Sequence, residues 1–598
     1  MCIRDSRKGQ LTALAAAMLL CACASTNQTG MKDGTYTEVV PGHNAPMTVK
    51  VTIKDNRITA IDTSKNLETI GVGKVALKLM TDKILKNQSL GVDAITGASL
   101  SSMSLKAAVG ACIEKAGGDL KAWQKNVEKH ATAPVTLQGD VVVIGGGGAG
   151  LAAAISANQN GAKVVILEKM GFLGGSTNVS EGALNAPDPQ RQGPQGIVDS
   201  VQKFYDQTMK GGHNVGDPKL VHYLTDNALE SVHWMEKLGV QFKKEVGTAT
   251  GALWQRSHYP TTPSGNSYIR VFEKYLAEHK DSITVLTDTA AKKLVYKDGR
   301  VTAVIADNKG RPVTVNAKNA VILATGGFGA NIKLRQEVNT GVWKEVKLDS
   351  SIGCTNLAKA AQGDGIVMGK AVGADVIGMS DIQIHPCGTP GTGLMENIRT
   401  SGRNRLFVNL DGNRFVNEGA ARDTLAKAIF AQKDSTYWVL VNHLRYPSRT
   451  FVDANGATIE NMVAQGAVVE ANTLDELAAK TGMNAKNLKA AVAGYNAVVT
   501  QGAKDKYGFV ANNKADRAMT EGPWYACKKV PTVHHTMGGL HINTEAQVID
   551  TEGKVIKGLY AAGEVTGGIH GSNRLGGNAI ADVMTFGRTA GANAAKGL

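Results

Sequence analysis

Residues 139–169 read GDVVVIGGGGAGLAAAISANQNGAKVVILEK, and no other stretch limits the fold as strongly. An apolar run, Val141–Ile144, enters a glycine turn. An alanine-rich helical pattern follows, then a second apolar run, Val164–Leu167, ending at Glu168. This is strand, turn, helix, strand, and two strands joined by a helix must lie parallel. Gly145, Gly147 and Gly150 have the GxGxxG spacing. The first glycine permits the tight turn, the second lets the backbone approach a pyrophosphate, and the third lets the helix pack closely on the strand. Glu168 falls about 20 residues on, where an acid takes ribose hydroxyls. Strand, glycines, helix and acid in this order predict a dinucleotide site, without separating NAD from FAD.

The rest of the chain divides around this unit. With 598 residues, more than one domain is expected, and 69 glycines among 43% hydrophobic residues exclude a disordered polymer. In residues 31–116, TYTEVV and MTVKVTIKDNRITAIDTS alternate with period two about a turn at Lys54-Asp55-Asn56, as in a strand hairpin, and helical patterns follow. Residues 117–138 are polar and lysine-rich and read as a linker. A new domain opens at Gly139. AVILATGGFG at 320–329 is another buried strand ending in glycines, and the segment from Gly558 onward reads as strand, glycine loop, helix. The pattern is interrupted between 380 and 534, which predicts an inserted domain.

The formal charge is +14. There is no run of clustered Lys and Arg and no nucleic-acid motif, so a nucleic-acid partner is not expected. The excess fits a solvated basic surface or a site that collects carboxylates. Near the start, Arg7 and Lys8 precede an apolar core, Leu11–Leu20, of signal-peptide length. Leu20-Cys21-Ala22-Cys23 resembles a lipoprotein cleavage box, which implies a signal peptide over residues 1–23 and lipid on Cys23. That places the mature chain on a membrane, at a periplasmic or extracellular face. Cys112, Cys354, Cys387 and Cys527 lack CxxC spacing, so no metal centre is expected.

Gly91–Ser102, GVDAITGASLSS, runs into the helical pattern SMSLKAAVGACIEKA. Small hydroxyl residues at a helix mouth serve as a cap, or they mark a phosphate site, because a helix N-terminus favours an anion.

Other segments carry a resemblance. Gly174-Gly175-Ser176-Thr177, Ala324-Thr325-Gly326-Gly327 and Ala562-Gly563-Glu564 resemble the FAD-binding domain of the fumarate reductase/succinate dehydrogenase flavoprotein superfamily. QIHP (383–386), ENIR (396–399), NRFVNEGAARD (413–423), HHTMGG (534–539) and GSNRLGGNA (571–579) narrow it to the exported flavin-dependent fumarate reductases and their urocanate-reducing relatives. The implied fold is mixed α/β and α+β and multidomain. A small α+β FMN-binding domain (31–116) precedes a Rossmann-like FAD-binding domain (139–379 and 535–598), which carries a capping domain (380–534). By this resemblance, non-covalent FAD is held by Gly145, Gly147, Gly150, Glu168, Gly175, Ser176, Thr177, Ala324, Thr325, Gly326, Gly327, Glu564, Asn578, Ala579 and Ile580. Asp93, Thr96, Gly97, Ala98 and Ser99 match a flavinylation motif, so Ser99 is the expected acceptor of covalent FMN, with Ser101 and Ser102 as fallbacks. A flavin transferase is the implied partner for that attachment.

The resemblance also implies the reaction, reduction of the C=C bond of an α,β-unsaturated carboxylate. Arg574 and His534 would hold one carboxylate, with His535 an open alternative to His534. His385 would stand at the other end. Arg422 matches the proton donor, and Glu396 and Arg399 match the relay that reprotonates it. Taken singly, these residues have blander readings: a core histidine, an Arg422–Asp423 ion pair, and surface charge at Arg403 and Arg405. One departure stands out. Met395 occupies the place of a threonine that touches substrate in fumarate reductases, and a thioether donates no hydrogen bond. Glu181 lies where urocanate-reducing relatives place an acid. The implied role is a terminal reductase of anaerobic respiration, fed by a membrane electron donor through FMN. A dehydrogenase or oxidase of the same superfamily and a non-enzymatic flavin shuttle are the alternatives.

Overall fold

The structure is a computed structural model that describes residues 30–127, 130, 132–262, 264–453, 457–511 and 516–597. Cys23 and the leader lie outside the described residues. The chain forms two compact units. One comprises Met1–Asn66, Leu77–Ala94 and Leu100–Glu128; the other comprises Leu67–Ala76, Ile95–Ser99 and Lys129–Leu598.

In the first, β1 (Gly34–Pro41), β2 (Pro46–Lys54) and β3 (Arg57–Lys65) make an antiparallel meander. The predicted turn joins β2 to β3 with Asp55 and Asn56 at φ 51° and 58°. Both values are left-handed, as a two-residue hairpin with the strand's twist requires. Met47, Val49, Val51 and Ile53 alternate into the interior. The helices α1 (Gly73–Asn87) and α2 (Ser99–Lys115) contribute buried Leu77, Met80, Ile84, Leu105, Val109 and Ile113.

The second unit is built on β4 (Val135–Ile144), α3 (Gly148–Gln159) and β5 (Val164–Leu167), the predicted βαβ. Then come β6 (Ile283–Leu286), β7 (Thr289–Lys297), β8 (Arg300–Asn308) and β9 (Arg311–Leu323). β4 opens earlier than Gly139, because Val135–Gln138 pair with Val313–Asn316 of β9. β9, β4, β5 and β6 are parallel neighbours. Val141–Ile144, Val164–Leu167 and Ala320–Leu323 are buried throughout, as strands covered on both faces must be. β7, β8 and β9 form an antiparallel ribbon turned by Asp298-Gly299 and Lys309-Gly310, again with positive φ.

A second sheet, antiparallel throughout, follows. It contains β10 (Ile382–Gly388), β11 (Leu406–Val408), β12 (Tyr437–Asn442), β13 (Val468–Ala471) and β14 (Trp524–Thr536); helix α4 (Arg422–Phe430) lies between β11 and β12 in the chain. Alternate residues of β12 serve two cores, Trp438 and Leu440 on one side, Tyr437, Val439 and Val441 on the other. The chain then returns to the first sheet through β15 (Gln547–Ile549) and β16 (Val555–Ala561), which pairs in parallel with β9.

The last helix, α5 (Asn578–Lys596), lies on α3 at close range. Glycine makes that possible: a Cβ on Gly591 would sit 2.1 Å from the Ala153 carbonyl oxygen. Gly591→Ala therefore overpacks a helix pair whose partner atom is rigid backbone, a cost of about 1–3 kcal/mol. The check is a lower denaturant midpoint with unchanged slope. Gly193→Ala, where nothing lies within 4 Å, should leave the midpoint in place.

Candidate active site

Where β4, β5 and β9 end, their glycine loops border a cavity that opens to solvent. Of the predicted flavin residues, Gly145, Gly147, Glu168, Gly175, Ser176, Thr177, Ala324, Thr325, Gly326, Gly327 and Glu564 line it. Gly150 lies behind: a Cβ there would sit 1.8 Å from the Gly145 carbonyl oxygen. Asn578, Ala579 and Ile580 form the first turn of α5, whose Val583 lines the cavity. The Asn578 side chain itself is engaged by Asn185 and Thr208.

The donors fit a dinucleotide. α3 begins behind Gly147 with no side-chain cap, so its first N–H groups are left for an anion. A Cβ on Gly147 would meet nothing within 4 Å, so the space before that turn is open. Glu168 is fixed by accepting from the N–H groups of Gly146 and Met170, both at 2.7 Å. Burial still raises its pKa.

The residues expected to carry the reaction gather where β10 pairs with β14. The register runs Gln383 to His535 and then Ile384 to Val533, so His534 is the extra residue of a bulge. Bulges re-aim side chains, and this one re-aims His534. His534 lies against His385 with ring centroids 4.6 Å apart, and its Nδ1 is 2.7 Å from Thr355 Oγ1. His535 lies instead beside His570 and 3.5 Å from Glu564, an acid of the flavin cavity.

His385 has a defined tautomer. The Cys387 N–H donates to its Nδ1 at 3.1 Å, so the ring's own proton is on Nε2. Burial, then the neighbouring cations, holds His385 and His534 well below the ordinary imidazole pKa, and both are neutral near pH 7.

Arg422 is the first residue of α4 and is buried. Its Nε donates to the Thr250 carbonyl (2.9 Å) and its Nη1 to Gln383 Oε1 (2.7 Å), and neither bond engages Nη2. The Arg422–Asp423 pair is not the arrangement adopted, since Asp423 pairs with His213 at 3.1 Å. Burial, then Arg574, holds the Arg422 guanidinium well below its usual pKa. Arg574 is pushed down to about 10 by burial, and its Nε has no hydrogen-bond partner among the described residues. Arg399 is buried, and Glu396 and Met395 are half-buried on the same loop. Ser401 donates to Glu181 at 2.9 Å, and Glu181 opposes the lowering of Arg422. Arg403 and Arg405 are not plain surface charges. Arg403 pairs with buried Asp516 at 3.0 Å, and Arg405 donates to the Glu418 carbonyl at 2.7 Å.

Sequence reasoning missed two supports. Gln383 accepts from Arg422 and donates to the Arg574 carbonyl at 2.6 Å, bridging the two arginines. Asn185 donates to the Gly576 carbonyl and accepts from Ser257. Neither amide carries a charge, and although Gln383 opens the QIHP motif, the role of each is recognisable only by what it touches.

Helix α2 begins at Ser99. Ser99 is exposed, whereas Ser101 and Ser102 are buried, so burial sets the two fallback hydroxyls apart from the first.

The family described as FAD binding domain matches residues 140–580, and that described as FMN-binding domain matches residues 42–114. The chain is 34% identical to the urocanate reductase of Eggerthella lenta over 98% of both chains. It is 35% identical to the NADH:acrylate oxidoreductase of Vibrio harveyi over 94% of its own length, but spans only 61% of that protein. The open conformation of a flavocytochrome c3 fumarate reductase superimposes with a TM-score of 0.62 at 34% identity, covering 78% of this chain and 79% of that one. This chain belongs to the flavin-dependent fumarate and urocanate reductase family. It has the FAD-binding and FMN-binding domains of that family, and no described helix is long and apolar enough to cross a membrane.

The buried neutral imidazoles of this reductase give a pH dependence of stability. The unfolded chain binds protons near pH 6.5, and the folded His385, His534 and His535 do so only at lower pH. The unfolded state then holds more protons, so stability falls as pH drops through that range, by up to about 1.4 kcal/mol per pH unit per histidine. Glu564, pushed up to about 7 by burial, acts in the opposite sense. Urea midpoints between pH 7.5 and 5.5 should therefore fall, and His385→Asn should make the fall shallower.

Proposed function

We propose that this family member reduces the C=C bond of a small α,β-unsaturated carboxylate. The observation that carries the reading is the cation cluster. Arg399, Arg422 and Arg574 are buried around two neutral imidazoles, beside the flavin cavity, and a planar anion is what such a cluster lacks.

When bound, reduced FAD supplies a hydride to one alkene carbon. Arg574 and His534 hold the carboxylate, and the same cations stabilise the enolate-like charge that develops on it. His385 donates a hydrogen bond from its Nε2–H to the far end of the acceptor. Arg422 gives a proton to the other carbon from Nη2, the nitrogen that neither Thr250 nor Gln383 engages. The lowered affinity of this guanidinium for its proton favours that transfer. Glu396 and Arg399 return the proton. Met395 offers no donor for a second carboxylate, and Glu181 sets an acid close to Arg422. Both features favour acceptors other than a dicarboxylate.

The remaining assignments belong to the same proposal. FMN is esterified to Ser99 by a flavin transferase and is the electron entry, with its phosphate at the N-terminus of α2. Asn578, Ala579 and Ile580 close the FAD site. The chain is exported, anchored by lipid on Cys23, and draws electrons from a membrane donor in anaerobic respiration.

The test is anaerobic dye oxidation by the doubly flavinylated protein, using viologen with fumarate, urocanate, acrylate, methacrylate and cinnamate. Turnover is expected with at least one monocarboxylate and should be slower with fumarate; silence across the panel with both flavins bound would overturn the reading. Arg422→Ala should retain FAD and lose activity on the order of 10³-fold. Separately, Ser99→Ala should abolish flavin fluorescence on a denaturing gel, whereas Ser101→Ala and Ser102→Ala should keep it.

A further inference from the structure

The loop bearing Glu396 and Arg399 belongs to no helix or strand. It passes beside β14 without a backbone ladder, and side chains of the strand hold it instead. Thr532 Oγ1 donates to the Gly393 carbonyl at 2.7 Å. Lys529 Nζ donates to the Glu396 carbonyl at 2.5 Å. Cys527 lies within reach of the Ile398 backbone N–H. Strand positions 532, 529 and 527 thus meet loop positions 393, 396 and 398 in antiparallel order. The approach is close: a Cβ on Gly393 would stand 2.7 Å from Thr532 Oγ1. Asn397 turns the loop with φ 59°.

Lys529 is the unusual member of this series. Its side chain is fully buried, and burying an ammonium is expensive unless the charge has a purpose. It stands near His385, in a pocket already crowded with cations. Its partners among the described residues are the Glu396 carbonyl and the Cys527 sulfur, neither of them a carboxylate, so a hydrophobic residue of the same length would fill the space without the penalty.

We propose that Lys529 is a positioning residue for proton return. It fixes the Glu396 peptide to the same strand that carries His534, so that relay and substrate clamp share one frame. The inference rests on the reading of Glu396 as part of the relay. Lys529 itself touches neither the acceptor nor the proton.

The experiment uses full-length holoprotein with both flavins and the enoate that the wild type turns over fastest. Lys529→Met removes the charge at nearly constant volume, and Lys529→Gln keeps a donor without it. For Lys529→Met, kcat should fall about 10- to 100-fold, since small misplacements of a catalytic group have effects of this order. KM should stay within about twofold and FAD content should be unchanged. The solvent deuterium isotope effect on kcat should rise, because proton return becomes limiting. Lys529→Gln should fall between Lys529→Met and wild type. A kcat within twofold of wild type would overturn the proposal, as would a lower kcat with an unchanged isotope effect. Loss of FAD by both variants would assign Lys529 to folding alone and also overturn it. Wild-type inactivity toward every enoate would instead remove the functional reading and this inference together.

Discussion

Everything near the reaction centre follows from one constraint: three guanidinium groups are buried around a single space. Each loses hydration on burial, and like charges at close range repel. Acids lie near two of them, Glu181 by Arg422 and Glu564 and Asp582 by Arg574, but the hydrogen bonds that fix these two go to neutral acceptors. Arg422 is held by the Thr250 carbonyl and the Gln383 amide oxygen, and Arg574 donates to the Leu575 carbonyl. The two histidines beside them are kept neutral, so they add no further charge. Carbonyl acceptors fix a guanidinium in place without cancelling its field. The result is a preorganised positive site, the arrangement that stabilises charge developing on a substrate oxygen.

Such a site works only if its parts are mutually rigid, and buried amides supply that rigidity. Gln383 joins Arg422 to the backbone of Arg574. Asn185 ties Gly576 and Asn578 to Ser257, whose hydroxyl accepts from the Ala249 N–H next to Thr250. Gly576 and Thr250 approach so closely that a Cβ on Gly576 would sit 2.1 Å from the Thr250 carbonyl oxygen. This network ties together the segment that holds Arg422, the segment that holds Arg574 and the first turn of α5. Flavin cradle and cation cluster are therefore one construction.

The cradle was legible in the sequence because its residues act through backbone. A glycine turn between two apolar runs has few conformations, and GxGxxG states where the chain must approach a ligand or itself. The β2–β3 hairpin was legible for the same local reason, its Asp-Asn turn. The start of β4 was not, because Val135–Gln138 are strand only through pairing with β9, and their exposure alternates as in an edge. Arg403 and Arg405 misled because a charge in a loop usually faces water, and the buried partners Asp516 and Glu418 lie far along the chain or in the main chain. Lys529 was silent for a similar reason: beside Lys528 it reads as one of a solvated pair, yet strand alternation sends one outward and the other into the core.

The same alternation explains how neighbouring histidines come to do different things. In a regular strand His534 and His535 would face opposite sides of the sheet, one of them away from the site. The bulge at His534 breaks that rule locally. It lets His534 join His385 and Thr355 while His535 stays against Glu564 and the flavin cavity. One unpaired residue thus serves two neighbouring sites from one strand. On the proposed reading the acceptor's carboxylate lies toward His534 and Arg574, with Arg422 Nη2 at its flank. On the same reading the distal group meets His385, Met395 and Glu181. None of the three is a cation, since His385 is held neutral, and this supports the proposed discrimination against a second negative charge.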